Sequence, residues 1–439
     1  MERLSWRKTK CALAWMLGQN LSLVVKWRNR VLLLSMYKIA YRYRIYPTIK
    51  QEGVLLRMIE AARKLWNDAL AHRMWKWEEF RRSTTYNEQA RILTGVRKTD
   101  PEIGMLYSQV GQDVLRRLDK AFRAFFNHSS GYPKFKKKRG CGSITFPQAY
   151  RGCVKIDDGK IMISGVGWVP LVLHRKLPSD GTMKTCTVIQ EPCGEWYVSL
   201  TLELSPPVPR LLTEIKSPVG LDLGLRSLVT TTDGAKITPP GYLRKSEKRL
   251  RRLQRKLSRH LKGSKNWERS RRLLATQHAK VACQREDFNQ KLSASLVRNH
   301  DLIAFEDLRI NNMIQNHALA KSIQDAGWRQ IVDLSKHKAE RAGKILVEVS
   351  ARYSTQECYF CGAINDVGLG LGEFTCVRCG RRLDRDFNAS SVVLKRGIAK
   401  VGLDRPELTP VEIRPPLGIT IPTSRVKEAG TTCGEVHAQ

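Results

Sequence analysis

Four cysteines fall in two close pairs, Cys358-x2-Cys361 and Cys376-x2-Cys379, with 14 residues between them. Each pair is a knuckle that offers two thiolates to one ion, and two knuckles close a tetrahedral all-thiolate site that Zn²⁺ fills without redox chemistry. Gly362 and Gly380 each follow the second cysteine of a knuckle, where the chain must turn sharply. The Gly-rich loop 362–375 between the pairs suits a zinc ribbon. Four thiolates leave no coordination position open, so this zinc is expected to be structural and the ribbon alone does no chemistry.

Carboxylates at the ends of apolar runs supply the reactive chemistry. Asp222 sits inside VGLDLG, Glu306 ends LIAFE, and Asp386 lies in LDRDFNAS just before an apolar helical segment. A buried carboxylate is costly unless it is paired or bound to a metal. Three of them, gathered from separate elements, would hold two Mg²⁺ ions able to activate water and stabilise a leaving oxygen in phosphodiester hydrolysis. Other roles stay open for each. Asp222 could be a hairpin residue, Glu306 an ordinary strand-end acid, and Asp386 a helix N-cap, where Asp is favoured. Asp307 and Asp384 compete as near neighbours.

Elements that could position these groups are legible in the hydrophobic pattern. YKIAYRYRIYP alternates like a strand from residue 37 to Pro47, and amphipathic helices are expected over 50–80 and 106–126. From about 140, short strand-like runs (SITFPQ, VKI, KIMIS, LVLH, TCTVIQ, EWYVSLTLEL) read as a small β-barrel or sandwich carrying a helical insertion. PVGLDLGLRSLVTT reads as a buried β-hairpin. LIAFEDL and KILVEVS are strand-length runs flanking the amphipathic helix 327–343, which implies an α/β layer. Residues 1–35 read as an N-terminal extension outside the fold. Residues 397–439 hold five Pro and no periodicity, and a disordered tail is expected over 401–439.

The charge sets the partner class. The 439 residues carry 77 Lys plus Arg against 41 Asp plus Glu, a net charge of +36. Such a surplus disfavours compactness by self-repulsion unless a polyanion screens it. Nucleic acid is therefore the expected partner, an anionic membrane surface is the other candidate, and the charge argues against a small-molecule enzyme with no polymer partner. No apolar run approaches the roughly 18 residues of a membrane span. The odd count of 11 cysteines, four of them clustered, is metal arithmetic rather than a disulfide framework. The basic segments interleave aromatics, which stack on bases while Lys and Arg hold phosphates. Tyr41, Arg42, Tyr43, Arg44, Tyr46, Lys134, Lys136, Lys137 and Lys138 are candidate contacts on that ground, and RMWKWEEFRR is a third such segment. Residues 244–272 hold 14 Lys/Arg against two Glu, so Arg251, Arg252 and Arg255 are read as facing a polyanion. Leu250, Leu253, Leu257 and Leu261 mark an apolar stripe in that helix.

The order GLDLGLRSLVTT, LIAFEDL, STQECYFCG…FTCVRCGRRLDRDFNASSVV is very similar to that of the TnpB proteins of bacterial and archaeal insertion sequences, relatives of the type V CRISPR effectors. YRYRIYPT, GYPKFKKK, EWYVSLTLEL and ELTPVEIRP extend the resemblance over roughly 36–435. It implies an RNA-guided DNA endonuclease of multidomain α/β fold. A β-barrel wedge domain (36–215) would carry a helical recognition insertion at about 48–130. A RuvC, RNase H-like nuclease domain (216–400) would follow, with a basic helical insertion at about 242–300 and a zinc ribbon at about 355–383. Carried over, the catalytic acids fall on Asp222, Glu306 and Asp386, the last within a D-x-N-A pattern, and the zinc ligands on Cys358, Cys361, Cys376 and Cys379. Ser390 stands where the family often has a second Ala. The implied partners are a guide noncoding RNA and double-stranded target DNA with an adjacent motif, with no membrane, in a bacterial or archaeal cytoplasm beside the nucleoid. A small type V CRISPR effector, a nuclease-inactive RNA-guided regulator, an RNA-free zinc-ribbon transcription factor and a strand-transfer transposase remain as alternatives.

Overall fold

In a computed structural model the chain is described over residues 37–138, 141–207, 215–368 and 371–403, together with the strand backbone of 23–27 and 30–34. Those two strands, β1 (Leu23–Trp27) and β2 (Arg30–Leu34), pair as an antiparallel hairpin in a sheet of their own. The rest of the N-terminal extension lies outside the described residues, as does the tail beyond residue 403 with its ELTPVEIRP segment. The chain divides into two compact units between Pro206 and Pro207.

The first unit is built on one antiparallel sheet. β3 (Tyr37–Ile45) pairs along its whole length with β9 (Trp196–Leu204), and β8 (Thr182–Gln190) and β4 (Gly142–Phe146) extend the sheet on one side. β7 (Gly167–Val172), β6 (Lys160–Ile163) and β5 (Val154–Asp157) extend it on the other, giving the order β4-β8-β9-β3-β7-β6-β5. The sheet curls into a nearly closed barrel. β9 alternates buried and half-buried residues along its nine positions, the pattern of a strand with one face on a core. Between β3 and β4 the chain turns helical. α1 (Ile49–Phe80) starts at Thr48, whose side chain and that of Gln51 form a capping box. α2 (Tyr86–Thr99), α3 (Pro101–Gly104) and α4 (Ser108–Phe126) follow. Leu55, Leu65 and Leu70 of α1 and Leu115 and Leu118 of α4 share one buried cluster with Tyr43, Phe146 and Val198 of the sheet.

A mixed five-stranded sheet organises the second unit. Its order is β12-β11-β10-β13-β14, formed by β10 (Pro218–Asp222), β11 (Val229–Thr231), β12 (Lys236–Ile237), β13 (Leu302–Asp307) and β14 (Ile345–Ser350). β10, β13 and β14 run parallel, while β11 and β12 are antiparallel additions at one edge. α5 (Tyr242–Ser258) and α6 (Lys265–Asn299) separate β12 from β13. α7 (Ile310–Met313), α8 (His317–Ala326) and α9 (Trp328–Arg341) lead from β13 to β14. Beyond β14 a small hairpin, β15 (Glu373–Thr375) and β16 (Arg382–Asp384), leads into α10 (Arg385–Val401).

Both faces of the central strands are covered, which is why β10 and β13 read as continuous apolar runs. Val219, Leu221, Ile303 and Phe305 pack into a cluster with Leu292 and Leu296 of α6 and Ile331 of α9. The alternate residues lie under α10, where Ala304 meets Val393. The helix lies close enough to demand missing side chains. A Cβ on Gly220 would stand 2.1 Å from the Ser390 carbonyl oxygen, and one on Gly397 would stand 2.6 Å from the Ala304 Cβ. Position 220 therefore admits only glycine while α10 keeps its seat. The stripe expected on α5 is shorter than its leucine spacing suggests. α5 ends at Ser258, so Leu261 falls in the following loop and is 82% exposed.

Candidate catalytic and metal sites

Strand register gathers the carboxylates. Asp222 lies opposite Thr230 on β11, and Thr230 lies opposite Lys236 on β12. On the other side, Asp222 stands one residue past the Leu221–Phe305 pair, beside Glu306. Cross-strand neighbours project to the same face of a sheet, so Lys236, Thr230, Asp222 and Glu306 form one row on the face covered by α10. Asp222 and Glu306 are only 7% and 5% exposed, whereas Asp307 is exposed on the other face. That separates Glu306 from its competitor.

The start of α10 settles the other ambiguity. Asp384, not Asp386, is the N-cap: its Oδ1 accepts from the Phe387 N–H at 2.9 Å, and its Oδ2 accepts from Lys236 Nζ at 2.6 Å. Asp384 is thus occupied. Asp386, in the first turn, is left to face the row, with Arg385 Nη2 at 3.2 Å from its Oδ1. The positive end of the helix dipole lies beside the acids.

The electrostatics are those of a site short of positive charge. Burial pushes the Asp222 carboxyl well up, Glu306 and Asp386 add repulsion, and Arg385 opposes only part of this. Burial also pushes Glu306 up to about 7, against the Ser354 hydroxyl and Arg396, which lower it. The Thr230 hydroxyl, buried in the same row, has no hydrogen-bond partner. A hydrated divalent cation would satisfy all three features, so the residues present fit Mg²⁺. The acids are spaced more widely than the ligands of one tight site. Among the described residues, only the four thiols have three or more ligand atoms all within 4.8 Å of one another.

These shifts set a sign for pH dependence. A carboxyl whose folded value is raised supports stability below its ordinary value near 4.5, and loses that contribution as pH rises through about 7. Without divalent ions the protein is expected to melt at lower temperature at pH 8 than at pH 5.5. Mg²⁺ should raise the melting temperature more at pH 8, because the ion replaces the protons. Thermal unfolding at the two pH values, with and without Mg²⁺, checks both signs.

The thiols form a second centre. Cys358 Sγ lies 3.8 Å from Cys379 Sγ, and Cys361 Sγ lies 3.5 Å from Cys376 Sγ. A tetrahedron with Zn–S bonds of about 2.3 Å has edges of about 3.8 Å, so the quartet fits Zn²⁺. Gly362 and Gly380 take φ of 72° and 67°, the left-handed turn expected after each knuckle. The Cys376 thiol is pulled down to about 6, chiefly by the Cys379 backbone N–H, while burial pushes Cys358 up to about 12. Among the described residues, Val367, Phe374 and Leu383 are the buried apolar side chains in the cluster around the sulfurs, and Asn365 is buried beside them.

The candidate nucleic-acid contacts divide. Tyr41 and Tyr43 are buried in the barrel core, stacked on each other at 6.2 Å, and the Tyr43 hydroxyl donates to the Arg175 carbonyl. They cannot stack on bases: the alternation that made them look like platforms is the inward face of β3. Arg42 and Arg44 bridge Glu191 and Glu195, both at 2.5 Å, and Arg42 lies 4.1 Å over the Tyr197 ring. Tyr46 is exposed. Lys134, Lys136, Lys137 and Lys138 lie on the surface, with the Lys136 ammonium 3.8 Å over Trp66. On α5, Arg252 and Arg255 are exposed, while Arg251 pairs with Glu247 at 2.5 Å. No described helix is long and apolar enough to cross a membrane.

Sequence reasoning passed over four residues around the acids: Lys236, Ser354, Asn388 and Arg396. Asn388 could have been found, since it lies inside the D-x-N-A pattern. The other three have no local signal, because their partners are 39 to 148 residues away.

A curled sheet with a helical insertion, followed by a carboxylate-bearing mixed sheet with a four-cysteine module, defines a multidomain α/β protein of the type V effector fold. Over 82% of this chain and 98% of the other, it superposes on the protein of a Cas12f1–sgRNA–target DNA complex with a TM-score of 0.52 at 11% identity. Three family models match: "Probable transposase" over 200–317, "Cas12f1-like, TNB domain" over 328–393 and "Helix-turn-helix domain" over 36–82. The last stretch forms β3 and the single helix α1 here, with no turn between two helices. Two relatives carry the description "Putative RNA-guided DNA endonuclease". One, from Streptomyces pristinaespiralis, is 34% identical over 84% of this chain and 91% of its own. The other, InsQ of Escherichia coli (strain K12), is 31% identical over 82% and 92%. The chain belongs to the TnpB family.

Proposed function

We propose that this chain is an RNA-guided DNA endonuclease of a transposable element, cutting DNA by phosphodiester hydrolysis at Asp222, Glu306 and Asp386. The observation that carries the reading is the single row of Lys236, Thr230, Asp222 and Glu306 at one sheet end, with Asp386 in the first turn of α10 over it. The strand order, with two antiparallel edge strands and three parallel ones, supports an RNase H-like, RuvC-type domain.

Two Mg²⁺ ions, when bound, supply activated water and stabilise the leaving oxygen. Asp222 and Glu306 would hold them from the sheet and Asp386 from the helix. Burial favours the protonated form of Glu306, which would have to lose that proton to act as a metal ligand. Arg385, paired with Asp386, and Lys236, paired with Asp384, offset part of the negative charge at the rim of the site. Cys358, Cys361, Cys376 and Cys379 hold a structural Zn²⁺. The names and titles of the relatives support a guide RNA and a DNA target as partners, and the net charge of +36 supports a bound polyanion. In such complexes the protein grips backbone and shape, while base pairing reads sequence. The curled sheet is the wedge domain in this reading, and α1 to α4 are the recognition insertion.

The chain purified from cells is expected to carry one discrete RNA, seen as absorbance near 260 nm that RNase removes. The loaded protein should cut duplex DNA matching that RNA's 3′ portion beside a short motif. RNA-free protein that cuts DNA with no guide would overturn the reading.

A further inference from the structure

The segment between β14 and the second cysteine of the first knuckle is fastened to the carboxylate site at several points. The Ser354 hydroxyl, 3% exposed, donates to Glu306 Oε1 at 2.5 Å and lies 3.1 Å from the Ala351 carbonyl. Ser354 precedes Cys358 by four residues. Asn388, two residues after Asp386 and 1% exposed, grips both neighbours of Cys358. Its Nδ2 donates to the Glu357 carbonyl at 2.7 Å, and its Oδ1 accepts from the Tyr359 N–H at 2.9 Å. Further along α10, Arg396 donates to the Ser350 and Arg352 carbonyls and pairs with Glu357 at 2.5 Å. Two of the three acids are thus tied, directly or through their own helical turn, to the residues that surround one thiol.

We infer that the first knuckle positions the catalytic carboxylates, Ser354 orienting Glu306 and Asn388 anchoring the helical turn of Asp386 to the backbone around Cys358. The inference rests on the nuclease reading above and adds a role for the ribbon beyond holding zinc. A carboxylate has about four lone-pair directions over two oxygens. A buried hydroxyl fixed on one oxygen sets the rotation of the group, leaving the other oxygen aimed for an ion. The Ser354 N–H donates to the Ala351 carbonyl and the Glu357 N–H to the Tyr353 carbonyl, so Ser354 sits in the turn that leads into the knuckle, and a knuckle closed around zinc would hold that turn in place. Outer partners of metal-binding carboxylates typically change metal affinity or activity by about 10- to 100-fold.

The test uses RNA-loaded full-length protein with the substitutions Ser354→Ala, Ser354→Thr and Asn388→Ser. Four quantities are measured: bound zinc, affinity for guided target DNA, single-turnover cleavage against Mg²⁺ concentration, and the Mg²⁺ dependence of the melting temperature. Ser354→Ala is expected to keep its zinc and target affinity, to cut about 10- to 100-fold more slowly, and to need about tenfold more Mg²⁺ in both cleavage and melting. Ser354→Thr, which keeps the hydroxyl, should recover most of the loss. Asn388→Ser should shift the Mg²⁺ dependence in the same direction by an independent route, which covers a Ser354→Ala protein that fails to fold. Wild-type rate and Mg²⁺ dependence in Ser354→Ala would overturn the inference. So would a cleavage loss that merely follows lost zinc or lost target binding, since that is a structural or gripping role. If the unaltered protein binds guided DNA and never cuts it, the nuclease reading fails by itself. The melting series then still decides whether Ser354 sets the Mg²⁺ affinity of Glu306.

Discussion

Replacing Asp222 with Ala is expected to eliminate guided DNA cleavage while leaving RNA and target binding essentially unchanged. The residue ends β10, with its side chain in the row that also carries Glu306, and it feels the repulsion of both other acids. Removing it takes away the one carboxylate that has Glu306 beside it in the sheet and Asp386 over it. The loss should be at least about a thousandfold, or about 4 kcal/mol of transition-state stabilisation, on the scale of charge stabilisation by a bound metal ion. Binding should survive because Asp222 is a buried acid at one sheet end, whereas exposed cations such as those of α5 and of residues 134–138 are the groups that would grip backbone phosphates. A second consequence separates a catalytic role from a packing role. Without divalent ions the variant relieves a buried like-charge contact, so its melting temperature at pH 8 should equal or exceed that of the parent, and Mg²⁺ should raise it less. Single-turnover cleavage, target-binding titration and thermal unfolding read these outcomes. Cleavage at the parental rate would remove Asp222 from the site.

Cys358→Ser is expected to have the next largest effect. Among the described residues the apolar side chains buried around the ribbon's sulfurs are Val367, Phe374 and Leu383, a core far too small to fold on its own. In zinc-finger peptides, where metal binding and folding are one process, structural zinc contributes about 10–16 kcal/mol at pH 7. Serine in place of the most buried thiol should therefore cost the zinc, with metal analysis falling from about one ion per chain to nearly none. Because Ser354, Glu357 and Tyr359 flank Cys358 and contact Glu306 or Asn388, cleavage should fall by about a hundredfold or more even where target binding persists. The first unit, with its own core, should keep its structure, so circular dichroism should change only modestly. A variant that retains zinc and activity would show that three thiolates suffice and would detach the ribbon from the catalytic site.

The charge behaves differently from the acids. A surplus of +36 specifies a class of partner, but it does not say which cations face it. Arg42, Arg44 and Arg251 already bridge glutamates, while Lys137, Lys138, Arg252 and Arg255 have no such pairing among the described residues and lie on the surface. The second group is the better place to look for phosphate contacts.

By itself the sequence determined the cysteine quartet, because ligand spacing within a knuckle is local chemistry that needs no fold to be recognised. It also determined the strands that bear Asp222 and Glu306, since an acid inside an apolar run is visible wherever the run ends up. The expectation of a polyanionic partner followed from composition alone. Tertiary structure decided everything that depends on register and contact. Asp384 rather than Asp386 caps α10, because the cap is set by where the helix starts, and that start is fixed by β16 and by Lys236 from 148 residues away. Glu306 rather than Asp307 faces the site, because a strand's two faces differ only once a helix covers one of them. Tyr41 and Tyr43 proved to be core rather than surface, since an alternating strand reads the same whichever face is turned inward. Ser354 and Arg396 acquire their roles only through partners 48 and 39 residues away in sequence, and no local pattern records such a pairing.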